Sequence, residues 1–380
     1  MKANLILFFT RGVSLKSWLE GGIFEREKLP YERYLEKGRF EKIYWITYGK
    51  KDRKLAEELK QANKLHERIY VLDKPAVFCS KIGDFLFSLL IPFFFGKIIK
   101  NANLIKTNQL DGSWSAVFAK WLYKKPLIVR AGYIRSKLLE SRKTRNLKKI
   151  FYKYTEAFAF RFCDRIIVTS AHDLNYVLNT YRVKKEKAEV IPNFVDTEAF
   201  RAFPNGKRSE NAVFVGRLDY EKNLFNLIEA FSHADINLDI YGTGPIEKDL
   251  MEYAKEKKSN VHFRGVIANN QLPGVLSSCG YFLLPSFHEG MPKALIEAMA
   301  CGVVCLATAN SGMREIIEDG RDGYLINGTA PQDIQEALNK AALSRNEAIG
   351  IKAADKVRKK YSLDVVLDKE YAILKRFLYE

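Results

Sequence analysis

The chain has 380 residues, 47% of them hydrophobic and 28% charged, with 62 Lys and Arg against 45 Asp and Glu. That length exceeds one ordinary core and fits two domains, and the hydrophobic content excludes a disordered or fibrous chain. The charge is uneven: residues 1–190 hold 39 cations against 19 carboxylates, a net of +20, whereas residues 191–380 carry a net of −3, so the basic half calls for something acidic to face.

Short apolar runs at Asn4 to Phe9, Lys42 to Thr47, Arg68 to Leu72, Leu104 to Thr107, Leu127 to Arg130 and Arg165 to Thr169 read as strands. Helical stretches separate most of them, and strands alternating with helices make a parallel sheet. The first run lies in MKANLILFFTRG, which is too short and too quickly polar for a signal peptide, so a cytoplasmic protein is expected. A loop from Thr10 to Gly22 follows, ending in Gly21 and Gly22 with Glu25 beyond. The segment FLFSLLIPFFF, Phe85 to Phe95, is too short to span roughly 30 Å of hydrocarbon, which takes about 20 residues. It reads as a buried helix, or as one that dips into an interface between Lys81, Lys97 and Lys100, with Pro92 kinking or dividing it. DGSW, Asp111 to Trp114, opens a helix.

RSKLLESRKTRNLKKIFYK, Arg135 to Lys153, reads as one helix, basic over much of its surface, with Leu138, Leu139, Leu147, Ile150 and Phe151 on a narrower face. Such a helix lies on an anionic membrane or holds a lipid phosphate, or else is a solvated helix docked by its apolar edge. Arg130, Arg135, Lys137, Arg142 and Lys143 are the candidate residues of a membrane side or of a site for an acidic partner. Helix-turn-helix, zinc and RNA-binding sheet motifs are missing from the sequence, so no nucleic-acid partner is expected.

In the second half, AVFVGRLDYEKN (Ala212 to Asn223) is an apolar strand that ends at Gly216 and presents Arg217 and Lys222 before a helix. Two cations there can hold a diphosphate, Arg as a planar fork and Lys as a point charge, or simply pair with Asp219 and Glu221. LDIYGTGP (Leu238 to Pro245) is a strand running into a tight turn and lacks the third glycine of a dinucleotide fingerprint. PSFHEGMPKALIEAMACG (Pro285 to Gly302) places Glu289 in a loop and Glu297 in a helix that starts near Pro292 and stops before Gly302. Amide groups at such a helix start favour phosphate, and carboxylates on either side accept hydrogen bonds from sugar hydroxyls. The plainer alternative makes Glu289 a cap and Glu297 a solvated residue, but Ala294, Leu295, Ile296, Ala298, Met299 and Ala300 surround Glu297 with apolar neighbours. The five cysteines form no zinc spacing and read as buried reduced thiols, and no protein-bound metal is expected.

The order GRLDYEKN, IYGTGP, VHFRG, PSFHEGMPKALIEAMACG and NSGMREIIEDGRDGYLI, after the linker IPNFVDTEAF, resembles the donor half of the retaining glycosyltransferases of family 4, the glycosyl transferases of group 1. The resemblance covers nearly all of residues 190–330 and implies a GT-B fold: α/β, two Rossmann-like doubly wound parallel-sheet domains facing a central cleft. It implies an acceptor-binding domain over 1–190, a nucleotide-sugar domain over 191–360, and a helix in 361–380 that returns to the N-terminal domain, with Val366, Tyr371, Leu374 and Leu378 as its apolar stripe. By that resemblance Arg217 and Lys222 bind the donor diphosphate, Glu289 contacts the sugar and Glu297 the ribose. Gly290, Met291, Pro292 and, in the glycine loop of the N-terminal half, Gly22 complete the donor side, while Glu315 matches a recurring acidic position of no assigned role. The family's usual histidine after the strand in KPLIVRAGY is replaced, with Gly132 in its slot, and Arg130 either takes over a polar role or sits in a structural ion pair.

The activity so implied is metal-independent, retaining transfer of a sugar from a UDP or GDP donor to a hydroxyl, with the departing diphosphate taking the acceptor proton. The expected partners are the nucleotide sugar, a lipid-linked or cell-surface glycan acceptor and the anionic inner face of a membrane, with no further cofactor. A soluble acceptor on the same fold, or a sugar-nucleotide-binding protein without catalysis, are the alternatives. An oxidoreductase or epimerase is disfavoured because no full GxGxxG opens either half.

Overall fold

The computed structural model describes residues 3–141, 146–202, 208–232, 234–344 and 347–378. They form two units, one from Met1–Ile191 with Asp368–Glu380 and one from Pro192–Leu367. The first unit has strands β1 (Asn4–Phe8), β2 (Lys42–Ile46), β3 (Ile69–Leu72), β4 (Leu104–Thr107), β5 (Leu127–Ala131), β6 (Arg165–Val168) and β7 (Ala188–Val190). They lie in the order β3-β2-β1-β4-β5-β6-β7 with every pairing parallel. The second unit has β8 (Ser209–Val215), β9 (Leu238–Tyr241), β10 (Val261–Gly265), β11 (Cys279–Leu284), β12 (Val304–Thr308) and β13 (Tyr324–Ile326), in the order β10-β9-β8-β11-β12-β13 and again all parallel. Both are doubly wound, and in each the strand order reverses beside the first strand, between β1 and β4 and between β8 and β11.

The six strands predicted in the first half fall within a residue of the observed ones, with the short edge strand β7 not anticipated; in the second half β8 begins three residues before the predicted Ala212. Four local expectations need correction. The loop from Thr10 to Gly22 contains a helix, Leu15–Glu20, capped reciprocally by Ser14 and Ser17 and held by buried Leu15 and Trp18, so Gly22 (φ +65°) lies in a turn between two helices. The single helix over 135–153 is instead two, Arg135–Ser141 and Asn146–Phe162, with Arg135 Nη1 donating to the Tyr152 hydroxyl at 2.8 Å and the Ser136 amide to Glu156 at 3.3 Å. Burial raises the Glu156 carboxyl above its ordinary range, and the Tyr181 hydroxyl donates to it at 2.6 Å. Third, Phe85 to Phe95 is not buried all round: the helix Lys81–Phe94 runs through Pro92 and leaves Phe93 71% and Phe94 51% exposed. Of the five free cysteines four are buried, with burial pushing the Cys301 thiol up to about 12, but Cys79 is exposed.

The last helix, Leu363–Lys375, ends in residues that belong to the first unit. Val366, Leu374 and Leu378 are buried, and so is a charge that the apolar spacing hides, Glu370. Its carboxylate takes the Lys106 ammonium, Arg130 Nη1 at 3.2 Å and the Tyr34 hydroxyl at 3.1 Å, while Asp368 pairs with Lys37 and Arg39 at the rim. Burial favours the neutral carboxyl, yet the two cations outweigh it and hold Glu370 below its ordinary value; burial wins for Lys106, which is lowered. A depressed carboxylate stabilises the fold above its unfolded-state pKa, and that share is lost as the pH falls through the folded value. Glu370→Ala, which strands the buried Lys106 and the part-buried Arg130, is expected to cost about 3–5 kcal/mol in denaturant titrations. In a pH series below the ordinary glutamate range, Glu370→Gln should lose less stability than wild type; equal acid slopes would show that the carboxylate carries none of it.

Candidate functional site

The reversal of strand order in the second sheet sets the ends of β8 and β11 side by side, so the loops 216–223 and 285–292 share one edge. After β8 the backbone turns through residues 220–222 into Asn223, left-handed at φ +58°, and then into the helix Leu224–Ala230. After β11 it reaches Pro292, extended, and the helix Lys293–Ala300, stopped by Gly302 at φ +71°.

These loops are tied directly. The Phe287 amide donates to the Glu221 carbonyl at 2.9 Å, and the Lys222 ammonium is bonded to Glu289 Oε1, which also takes the hydroxyl of fully buried Ser286 at 3.3 Å. The side chains of Lys222 and Glu289 are 19% and 15% exposed, enough for a ligand to reach and too little for water to screen fully. Arg217 differs: its side chain is 73% exposed, with only a loose 3.9 Å approach to Asp219. Glu297 is 2% exposed within the helix Lys293–Ala300, so it is no solvated surface glutamate. Met291 is fixed by Asn193, whose Nδ2 donates to its carbonyl at 2.6 Å.

Glycines set how closely these loops pack. A Cβ on Gly242 would stand 1.8 Å from the Gly216 carbonyl oxygen and one on Gly244 2.0 Å from that of Leu218. The glycines of GTGP therefore let the β9 loop lie against the β8 loop, a packing role in place of phosphate binding by themselves. Gly312 has the same relation to the β11 loop, its Cβ position lying 2.2 Å from the Gly290 oxygen and 2.4 Å from that of Glu289. Asn310, beside it, caps Met313 at 3.1 Å and reaches the Ser286 carbonyl at 3.4 Å. Sequence reading missed Asn193, Ser286, Asn310 and Gly312; a capping residue and a glycine at the start of NSGMREII were the available signals. Glu315, in the same helix, is exposed.

In the first unit the corresponding reversal joins Arg11 and Asp111, whose side chains pair at 3.1 Å, with Arg135 3.5 Å from the other Asp111 oxygen and Arg11 over the Trp114 ring. Gly132 donates its amide to Gln109 Oε1 at 3.1 Å, and a Cβ there would already meet Gln109 Nε2 at 3.1 Å, so the Gln109 amide fills the space in front of the expected histidine position. Arg130 lies in the Glu370 ion pair, Lys137 pairs with Asp173 at 2.6 Å, and Arg142 and Lys143 lie outside the described residues. Among the described residues no group of three His, Cys, Asp or Glu side chains is arranged to hold a metal ion.

A family model described as Glycosyl transferases group 1 matches residues 195–359, and one described as Glycosyltransferase Family 4 matches residues 39–199. The chain is 31% identical over 207 residues to the UDP-Gal:alpha-D-GlcNAc-diphosphoundecaprenol alpha-1,3-galactosyltransferase of Escherichia coli, covering 49% of this chain and 53% of that protein. It is 29% identical over 188 residues to a Campylobacter jejuni alpha-1,4-N-acetyl-D-galactosaminyltransferase named for an undecaprenol-linked glycan, covering 47% of this chain and 51% of that protein. The chain thus spans about half the length of the curated relatives it matches. Among solved structures, HepE of Anabaena in complex with UDP and glucose aligns over 97% of this chain and 99% of its own, at TM-score 0.75 and 17% identity. A sucrose-phosphate synthase of Thermosynechococcus elongatus aligns over 99% of both chains at TM-score 0.77 and 15% identity, and at such identities the likeness concerns the fold.

Gly312→Ala is expected to destabilise the protein by about 1–3 kcal/mol, because two carbonyl oxygens must move to admit the methyl group. It should also displace Glu289. Gly274→Ala, where a Cβ meets nothing within 4 Å, is the control; equal denaturation midpoints for the two variants would remove Gly312 from the site's support.

Proposed function

Since the chain belongs to the glycosyl transferases of group 1 and family 4 and has their GT-B fold, we propose that it moves a sugar from a nucleotide diphosphate donor to an acceptor hydroxyl with retention at the anomeric carbon. The observation that carries this reading is the Lys222–Glu289 pair at the strand-order reversal of the second unit. A cation and a carboxylate held together by two hydrogen-bonded loops meet a sugar diphosphate with both signs it needs: ammonium for phosphate oxygens, carboxylate for sugar hydroxyls.

In this mechanism Arg217 and Lys222 oppose the charge that develops on the departing diphosphate, and the amides at the start of the helix Lys293–Ala300, behind Gly290, Met291 and Pro292, add to it. The exposed Arg217 has little to release before it folds onto a phosphate, whereas Lys222 must share its bond to Glu289. Glu289 faces the sugar and Glu297 the ribose. The acceptor oxygen attacks the anomeric carbon on the face the diphosphate leaves, the carbon–oxygen bond to the diphosphate breaks, and the diphosphate oxygen takes the acceptor proton. No general base and no metal are drawn from the protein. On this reading Gly22 serves the donor and Arg135 the acceptor.

The acceptor we propose is lipid-linked, as the names of the Escherichia coli and Campylobacter jejuni relatives state for those proteins. The enzyme then works at the cytoplasmic membrane face as a peripheral protein; among the described residues no helix is long and apolar enough to cross a membrane. The observation favouring the non-catalytic alternative is Gln109 packed at Gly132, where the resemblance leads one to expect a histidine.

A nucleotide-sugar panel followed by thermal shift should identify a donor, since a ligand at about a hundred times its dissociation constant stabilises by about 2.7 kcal/mol. Lys222→Ala and Arg217→Ala should each cost roughly 1.5–3 kcal/mol of donor affinity or transition-state stabilisation. Turnover should persist in EDTA and the product anomer should keep the donor's configuration; inversion, or loss of activity on chelation, would overturn the mechanism.

A further inference from the structure

One stretch of the described surface carries an apolar stripe that the donor site does not account for. On the helix Lys81–Phe94 the outward positions Ile82, Phe85, Leu86, Leu90, Phe93 and Phe94 follow one another at helical spacing and are all exposed, Ile82 at 72% and Phe93 at 71%. The other face of that helix packs on the unit through Phe87, Ser88 and Ile91, with the Trp114 indole donating to the Ser88 hydroxyl at 2.9 Å. Two more helices run alongside in the same direction. Ser113–Tyr123 lies beside it, with Phe85 near Trp114 and the Tyr123 hydroxyl donating to the Pro92 carbonyl at 2.8 Å. Asn146–Phe162 follows, Phe151 against Trp114 and Phe162 against Trp121. They add exposed Trp121 and Leu122, then Leu147 at 78% and Tyr154 at 75%.

We propose that this three-helix face docks the protein on the surface of an anionic lipid bilayer, with the apolar side chains entering the interface and the bordering lysines meeting the headgroups. Charge selects this occupant. Lys81, Lys97, Lys100 and Lys148 border the apolar positions as exposed side chains, and residues 81–153 hold 16 Lys and Arg against 3 Asp and Glu, of which Lys106 and Arg130 are taken up by Glu370 and Lys137 by Asp173. A second copy of the chain is disfavoured because a two-fold contact sets the same cations against one another. A nucleic acid meets the charge but leaves the aliphatic side chains in water. The 14-residue helix is about 21 Å long, short of the roughly 30 Å of hydrocarbon, so it lies in the plane of the surface. Apolar burial and cationic attraction act together there.

The inference deepens the membrane partner of the proposed function, and its test is independent of transfer. The full chain is co-sedimented with phosphatidylcholine vesicles, with and without phosphatidylglycerol, at low and high salt. Binding is expected only to the anionic vesicles, weakening but persisting at high salt. Ile82→Ser with Phe93→Ser, and separately Leu147→Ser with Tyr154→Ser, should each lower the bound fraction roughly fivefold at an unchanged melting temperature. Lys148→Glu with Lys149→Glu should restrict binding to the lowest salt. The unmodified protein supplies a further readout: of its four tryptophans only Trp121 is exposed, at 48%, so bromolipids should quench its fluorescence. Binding that salt abolishes and the apolar variants leave unchanged would overturn the proposal as simple adsorption. So would a concentration-dependent dimer that the same variants dissolve, or tight binding to oligonucleotides without vesicle binding. Nucleotide-sugar thermal shifts on the same samples report the donor site, so loss of vesicle binding with intact donor binding rejects the surface alone.

Discussion

Every strand pairing in both sheets is parallel, and this single constraint organises the rest of the molecule. Parallel neighbours cannot be joined by a tight hairpin, so the chain crosses over after almost every strand, mostly through a helix that covers a sheet face. Chemistry is thereby expelled from the faces to the loops beyond the carboxyl ends of the strands. Where the strand order reverses, adjacent strands send their loops to opposite sides and a crevice is left between them. Arg11 and Asp111 meet at that place in the first unit, and Lys222 and Glu289 at that place in the second.

The second-unit pair shows how loop chemistry depends on backbone packing. Lys222 and Glu289 lie 67 residues apart in sequence and are brought together because Phe287 bonds to Glu221, Gly242 and Gly244 admit close carbonyls, and Gly312 admits two more. Tying a flexible ammonium to a carboxylate before any ligand arrives removes part of the ordering cost of binding, at the expense of a bond that the ligand must share. The exposed Arg217 is the opposite arrangement, with only a loose 3.9 Å approach to Asp219, and the two cations are unequal in a way their spacing in GRLDYEK does not show.

The first unit distributes its excess of positive charge in two ways. Lys106 and Arg130 are spent inside, against Glu370 from the last helix, where low dielectric makes the partner indispensable. Many of the remaining cations stay outside, close to helices whose outward positions are aromatic and aliphatic. Composition alone counts both groups as the same +20.

Strand placement and parallel class in the first sheet, the turn into the helix Lys293–Ala300 and the burial of Glu297 were determined by the sequence itself, because they rest on local periodicity, on glycine and proline conformation, and on the cost of a charge among apolar neighbours. Tertiary structure decided what no local signal carries. It split the basic segment after Arg130 into two packed helices, folded Leu15–Glu20 into what reads as a loop, and set Gln109 against Gly132. It turned Phe85 to Phe95, which burial statistics would hide, so that one stripe faces outward. The physical reason is common to all four: hydropathy fixes which residues leave water, but which neighbour receives them, or whether any does, depends on segments distant in sequence that only the packed fold brings alongside.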